Sequence, residues 1–251
     1  MATAITSVTD VCRAAKDASR VLARTDRATK DACLTDLATR IEARSAELLE
    51  ANAADVDAGR EQGLNEALID RLALTEERID EMAKGVREIA ELDDPVGELV
   101  ESWTLANGLE VGKKRAPLGV IAIIYEARPN VTIDAASLCL KSGNAAVLRG
   151  SSSAETSNGV LAGLIAESLA AAGLPEAAVS LLSGGGRAQL GELATQEGFV
   201  DLIIPRGGEG LKQALKDVAR VPVMYAAAGN CHVYVHEDAD LAMARRIAYN
   251  A

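Results

Sequence analysis

Apolar residues recur at helical spacing through the first 92 positions, then give way to short, β-branched runs after position 117. Val8 to Leu22, Arg27 to Ala53, Asn65 to Ala73 and Thr75 to Leu92 carry the helical pattern, with Leu34, Leu37, Ile41 and Leu48 as one stripe. Asp26 is placed to cap the second of these helices, and Thr75 followed by Glu76 and Glu77 opens the fourth. Gly59 and Gly63 predict a break. The charged positions of this segment, including Arg40, Glu42, Arg44 and Glu47, read as solvated helix faces.

Asp93-Asp94-Pro95 closes the helical part. Glu98 to Thr104 and Leu109 to Lys114 read as two strands, joined at Asn107-Gly108, a pair that accepts positive φ and so predicts a tight hairpin turn. A two-stranded ribbon is not stable alone, so this one, with Trp103, is expected to pack on the sheet or on another subunit.

From Pro117 onward strands and helices alternate. Leu118 to Tyr125 is a continuous apolar run, as expected of a strand buried on both faces. The turn Glu126-Ala127-Arg128-Pro129-Asn130 leads into a helix through Leu140, stopped at Gly143, and Ala145 to Leu148 is the next strand. A helix from Ala154 to Ala172, a strand from Val179 to Leu182, a helix to Gln196, a strand from Val200 to Ile204 and a helix to Ala219 continue the pattern. Val221 to Met224 and His232 to Val235 read as two more strands, and Asp238 as the cap of a last helix. The fold class is therefore α/β: N-terminal helices and a β-hairpin, followed by a doubly wound, mainly parallel, Rossmann-like sheet. The expected parts are a helical segment over 1–92, the hairpin over 93–116 and a dinucleotide-binding sheet over 117–251.

Charge alters this picture little. The 26 basic and 37 acidic residues give a net charge of −11, which favours neither nucleic acid nor an anionic membrane surface as a partner. No apolar run approaches the roughly 20 residues of a membrane span, and the first twenty residues lack the basic-then-apolar pattern of a signal peptide. Cys12, Cys33, Cys139 and Cys231 are far apart and read as reduced cytoplasmic thiols. Alternation along a strand CHVYVH would put Cys231 opposite His232 and His236, which argues against both a metal site and a Cys–His catalytic pair.

The candidate chemistry lies at the carboxyl ends of the strands, where open α/β sheets bind ligands. Arg149-Gly150-Ser151, Ser183-Gly184-Gly185-Gly186 and Arg206-Gly207-Gly208 each follow a strand. Backbone N–H groups at a helix start can hold a phosphate, and glycine permits close approach. The spacing at Gly184, Gly186 and Gly191 is not the dinucleotide fingerprint, so a cofactor loop and a plain tight turn both fit it. Pro205 to Lys212 likewise departs from the phosphate-loop pattern. Three such loops on one edge together suggest a ligand with several phosphates, such as a nucleotide. Arg128 and Asn130 suit a carboxylate or phosphoryl oxygen, or a surface acid of the protein itself.

The stretches APLGVIAIIYEARPNVTIDAASLCLKSGNAAVLRG, DLIIPRGGEGL and GNCHVYV closely resemble the γ-glutamyl phosphate reductase, or glutamate-5-semialdehyde dehydrogenase, family of the aldehyde dehydrogenase superfamily. The resemblance covers essentially the whole chain. It implies NADPH-dependent reduction of L-glutamyl 5-phosphate to L-glutamate 5-semialdehyde, with release of phosphate, in proline biosynthesis from glutamate. It also implies a cysteine nucleophile, a thioester intermediate and an aldehyde product. The three glycine-bearing loops would contact NADPH, and Arg128 and Asn130 would lie near the acyl-phosphate end of the substrate. Where hydrolytic relatives carry a water-activating glutamate, Ala226 to Asn230 reads AAAGN, which suits a reductase. The family's nucleophilic cysteine follows an asparagine-alanine-lysine stretch, and none of the four cysteines here matches that position. The chain is thus expected to be an N-terminal fragment with most of the catalytic domain missing. A homo-oligomer when full length, and association with glutamate 5-kinase, are the implied partners. Two alternatives stand beside this reading: a non-catalytic binding or interaction module, and an NADP-linked acyl-phosphate or aldehyde dehydrogenase of another substrate.

Overall fold

The computed structural model describes residues 7–184, 186–225 and 232–250. Helix α1 (Val8–Leu22) starts where the Ser7 hydroxyl accepts the Asp10 N–H at 3.1 Å. It buries Val8, Cys12, Ala15, Ser19 and Leu22, a single stripe at helical spacing. Asp26 caps α2 (Arg27–Ala43) through the Thr29 N–H at 2.8 Å. The expected single helix to Ala53 is instead divided at Arg44, whose φ of −113° and ψ of 26° interrupt the ladder. Arg44 is held there by Glu47 at 2.6 Å and Glu167 at 2.7 Å, a tertiary contact that no local periodicity announces. Helix α3 (Ser45–Glu61) then runs through Gly59 rather than breaking at it. A Cβ at Gly59 would sit 3.0 Å from Leu64 and 3.2 Å from Ile69, so its absence serves the close packing of the next segment. Helices α4 (Glu66–Leu72) and α5 (Glu76–Glu91) are capped by Asn65 and Thr75.

Strands β1 (Leu99–Thr104) and β2 (Glu110–Lys114) form the antiparallel hairpin. Its connection is longer than the expected two-residue turn. Leu105 donates its N–H to Leu109 O, and Gly108 donates to Leu105 O, each at 2.9 Å. Only Gly108, at φ +83°, is left-handed. Asn107 keeps a negative φ and uses its Oδ1 to accept the Leu109 N–H at 3.1 Å, so a three-residue loop closes the ribbon.

The main sheet consists of β3 (Val120–Tyr125), β4 (Ala145–Arg149), β5 (Val179–Leu181) and β6 (Leu202–Arg206), all parallel, in the order β5-β4-β3-β6. Every residue of β3 is buried, as its unbroken apolar run requires. Helices α6 (Asn130–Lys141) and α7 (Glu155–Ala171) make the crossovers to β4 and β5 and pack with α2, α3 and α5. Helix α8 (Gly186–Ala194) carries the chain back across the sheet to β6 and packs on α1. Helix α9 (Glu209–Val218) follows β6. One apolar core joins the N-terminal helices to the sheet, from Val8 through Leu37, Ile79 and Ile124 to Val221.

The segment after α9 departs from expectation. Residues 221–224 contribute a single parallel bridge, Ile203 to Val223, rather than a strand. Residues 232–235 are not a strand: Tyr234 is 85% exposed, and Val233 and Val235 are also exposed. The strand geometry that set Cys231 apart from His232 and His236 therefore does not apply, and Cys231 itself lies outside the described residues, as do Gly185 and Ala226 to Asn230. Asp238 does not cap the last helix, α10 (Leu241–Asn250). Asp240 does, accepting the N–H groups of Ala242 at 2.8 Å and Met243 at 3.2 Å. Asp238 instead lies 3.4 Å from the His236 ring nitrogen.

Two buried lysines tie the helices to the sheet. Lys30 is fully buried, pairs with Asp94 at 2.6 Å and donates to Lys141 O at 3.2 Å. Lys141 pairs with Asp31 at 2.5 Å and donates to Ala90 O at 2.6 Å. Burial would raise the Asp94 pKa, but hydrogen bonds from Lys30 and the Val96 N–H outweigh it and hold the carboxyl below its ordinary range. Removing Lys30 strands that carboxylate. Lys30→Met is expected to cost about 3 kcal/mol in urea denaturation at pH 7, the low end for breaking a buried pair because Asp94 keeps some water. A depressed folded pKa gives stability that is present above the unfolded pKa and lost as the pH falls through the folded one. The gap between wild type and variant should therefore narrow on acidification, and a gap independent of pH would rule out Asp94 as its source.

Candidate functional site

The carboxyl ends of the four parallel strands form one edge, and the order reverses at β3: β4 and β5 lie on one side of it and β6 on the other. Such a reversal opens a crevice, because the loops after β3 and β6 lead to opposite faces. The β3–α6 turn, residues 126–129, is at this point.

A cavity of about 500 Å³ lies beside it, lined by Tyr125, Glu126, Arg149, Gly150, Ser151, Ser183, Gly184 and Gly186, among others. Two of the three expected loops, those after β4 and β5, thus meet at one cavity. Arg149 donates to Gly186 O at 2.6 Å and so links them. Its Nε is buried without a partner, and burial pushes its pKa down. Arg149 also lines the cavity, so its half-buried guanidinium group brings positive charge to that wall. Ser151 is partly committed, its hydroxyl accepting the Ser153 N–H at 3.2 Å.

Under this cavity runs a buried polar chain. The Tyr125 hydroxyl lies 2.7 Å from Thr132 Oγ1, and Thr132 donates to Asn158 Oδ1 at 2.7 Å. Thr132 has one proton, so Tyr125 donates to Thr132. Burial pushes the Tyr125 phenol up to about 12, and it stays neutral. The Asn158 amide lies against Gly150, where a Cβ would collide with it and come within 3.2 Å of the Tyr125 ring.

The third expected loop, Arg206-Gly207-Gly208, does not join that cavity. It borders a neighbouring one of about 390 Å³ with Arg71, Arg128 and Lys212, and Glu126 lines both. The Glu126 carboxylate accepts the Gly208 N–H at 2.9 Å, and a Cβ on Gly207 would sit 2.8 Å from it. The N-terminus of α9 is thus met by a carboxylate of the protein itself. Gly207 admits Glu126, a role that the motif alone does not distinguish from phosphate binding.

Arg128 and Asn130 are brought together at a third cavity of about 340 Å³, with Arg71, Arg78, Glu81 and Asp134. Asn130 donates to Asp134 at 3.3 Å. Burial pushes the Asp134 carboxyl up, partly offset by Asn130 and Arg206. Arg71 and Arg78 come from the helical segment, whose charges read as solvated faces in sequence. Only the tertiary packing of α4 and α5 against the β3–α6 turn exposes their position at the site.

The described thiols are poor nucleophiles. Burial pushes Cys12, Cys33 and Cys139 up to about 12, 11 and 12. One group of metal-ligating type occurs among the described residues, His236, Glu237 and Asp238, and all three are exposed. No helix among the described residues is long and apolar enough to cross a membrane.

The model of the aldehyde dehydrogenase family matches residues 2–251. The chain belongs to the aldehyde dehydrogenase family. Among members of this family, it is 51% identical over 237 residues to a γ-glutamyl phosphate reductase of Syntrophomonas wolfei and 50% identical to that of Moorella thermoacetica. Both alignments cover 94% of this chain and 57% of the relative. The crystal structure of γ-glutamyl phosphate reductase from Thermotoga maritima superposes with a TM-score of 0.87 at 40% identity, covering 96% of this chain and 58% of that one. The chain therefore spans a little over half the length of these aldehyde dehydrogenase relatives.

The polar chain under Gly150 is open to test. Gly150→Ala forces Asn158 and Tyr125 apart and is expected to destabilise the protein by about 1–3 kcal/mol, as overpacking does. Denaturant unfolding measures this, and an unchanged midpoint would show that the loop gives way instead.

Proposed function

We propose that this chain forms the cofactor-binding part of an enzyme that reduces L-glutamyl 5-phosphate to L-glutamate 5-semialdehyde and phosphate, with NADPH. The observation that carries the reading is the likeness, along nearly the whole chain, to relatives named for that reaction. The site is compatible with it. Arg149, which lines the 500 Å³ cavity, is suited to a phosphate of the dinucleotide, and Gly184 and Gly186 beside it allow close backbone approach. When bound, the nicotinamide supplies hydride. The Tyr125–Thr132–Asn158 chain keeps the Gly150 loop fixed under it. Arg128 and Asn130 are suited to the acyl-phosphate end of the substrate. A cysteine outside these 251 residues serves as nucleophile in this reading, since none of the four cysteines matches the family's position; Cys12, Cys33 and Cys139 are also buried.

The same reading makes the protein cytoplasmic and oligomeric. The hairpin exposes Leu99, Val100, Trp103, Leu105 and Leu109, more apolar surface than a free ribbon can sustain. Assembly through it, and association with glutamate 5-kinase, follow as proposals.

Titration calorimetry on the folded chain is the first test. Saturable binding that favours NADPH over NADH is expected. Arg149→Gln should weaken NADPH binding roughly 10- to 100-fold, the worth of one charged hydrogen-bonding partner, and weaken NADH binding less. Absence of binding by a chain shown to be folded would overturn the cofactor assignment. The isolated chain is also expected to show no reduction of L-glutamyl 5-phosphate, and turnover by it would overturn the assignment of the nucleophile.

A further inference from the structure

Arg71 and Arg128 both border the 340 Å³ and the 390 Å³ cavities, so their side chains stand at the shared boundary. One comes from the end of α4 and the other from the β3–α6 turn. The chain carries a net charge of −11, and half of its arginines pair with a carboxylate among the described residues. Before the hairpin, Arg13, Arg20, Arg27, Arg40, Arg44, Arg60, Arg78 and Arg87 all do. Arg78, the close neighbour of Arg71, makes three side-chain hydrogen bonds, to Asp70 O, Ala73 O and Asp70 Oδ1. Arg71 and Arg128 make no ion pair or side-chain hydrogen bond among the described residues.

The smaller cavity also presents the opposite charge. Asp134 is half-buried and receives one long hydrogen bond, 3.3 Å from Asn130. Burial pushes its carboxyl up, offset only in part by Asn130 and Arg206. A cavity bordered by two uncommitted guanidiniums and by this carboxylate is complementary to a zwitterion rather than to a simple anion. An α-amino acid carries that pair of charges on one carbon.

We propose that Arg71 is a specificity residue that binds the α-carboxylate of the substrate while Asp134 receives its α-ammonium, with Arg128 left to the acyl-phosphate end. The helical segment thereby reads the amino-acid end of the substrate, and the sheet edge holds the cofactor. This rests on the function proposed above and adds the residues that would select a glutamyl chain over a plain acyl chain.

The test is kinetic, on the complete enzyme run toward oxidation with NADP and phosphate. Three aldehydes separate the charges: L-glutamate 5-semialdehyde, 5-oxopentanoate, which lacks the ammonium, and butanal, which lacks both. Arg71→Gln should raise KM roughly 10- to 100-fold for the first two, leave butanal unchanged, and be partly rescued by Arg71→Lys. Asp134→Asn should raise KM for L-glutamate 5-semialdehyde and leave 5-oxopentanoate unchanged. Affinity for NADPH should not move in any variant. An unchanged KM for L-glutamate 5-semialdehyde in Arg71→Gln, or an equal rise with butanal, would overturn the proposal while the reductase reading stood. A wild-type enzyme that is inactive on L-glutamate 5-semialdehyde would overturn the reductase reading and this proposal with it.

Discussion

The pairing of β3 with both β4 and β6 is the constraint on which the rest depends. Parallel neighbours cannot be joined by a tight turn, so each connection must cross over through a helix. Since β3 lies between strands reached by crossovers in opposite directions, the helices fall on both faces and β3 is buried throughout. Its last residues then reach loops on both sides of the strand. Tyr125 pairs with Arg206 in the ladder, reaches Thr132 with its hydroxyl and lies under Gly150. Glu126 meets the start of α9. The start of the strand is fixed as firmly: Asp201 accepts the Val120 N–H at 2.7 Å and pairs with Lys16 of α1 at the same distance.

The N-terminal helices extend this core rather than stand apart from it. Lys30 and Lys141 each lie buried between α2 and α6, and each is compensated by a carboxylate and a backbone carbonyl. A buried ion pair seldom adds much net stability, but a mispaired one is costly, so these contacts fix how the helices seat on the sheet. That seating matters for the site. It sets α4 and α5 against the β3–α6 turn and so delivers Arg71 to a cavity whose other walls come from residues 128–134.

What could be read from sequence follows from where the determinants are local. Continuous β-branched runs are buried strands, and Asp26 and Thr75 are caps, because both signals act within a few residues. The division at Arg44 was not legible, since Glu167, which holds it, is 123 positions away. Asn107-Gly108 marked a turn correctly but not its length, because one left-handed glycine serves a two- or a three-residue loop. Residues 232–235 alternate like a strand, yet a strand needs a partner edge, and composition cannot supply one. At the site, cationic and glycine-rich loops were visible. The division of labour among them was not: Gly207 and Gly208 accommodate Glu126, a contact set by tertiary position. Arg71 offered no signal, since an arginine on a short amphipathic helix is ordinarily solvated.

The distribution of burial separates the two halves of the site. The 500 Å³ cavity rests on β3, β4 and α7, where Ile124, Leu148, Asn158 and Leu161 are almost wholly buried. Its groups are held by the core of this chain. Toward β6 the protection falls away. A groove of about 740 Å³ lies between α5, α6 and the sheet, floored by the buried Ile121 and Ile123 and edged by the exposed Leu138, and α10 buries no residue at all. Apolar surface left open in this way costs roughly 25 cal/mol for each Å² not removed from water, so this side favours any surface that covers it. Asp134 and Arg206 line that groove as well. The geometry at the 500 Å³ cavity is thus fixed from within, while the β6 side keeps charged groups beside a partly open apolar groove. Under the proposed function, that asymmetry gives the cofactor side a geometry set by the core of this chain.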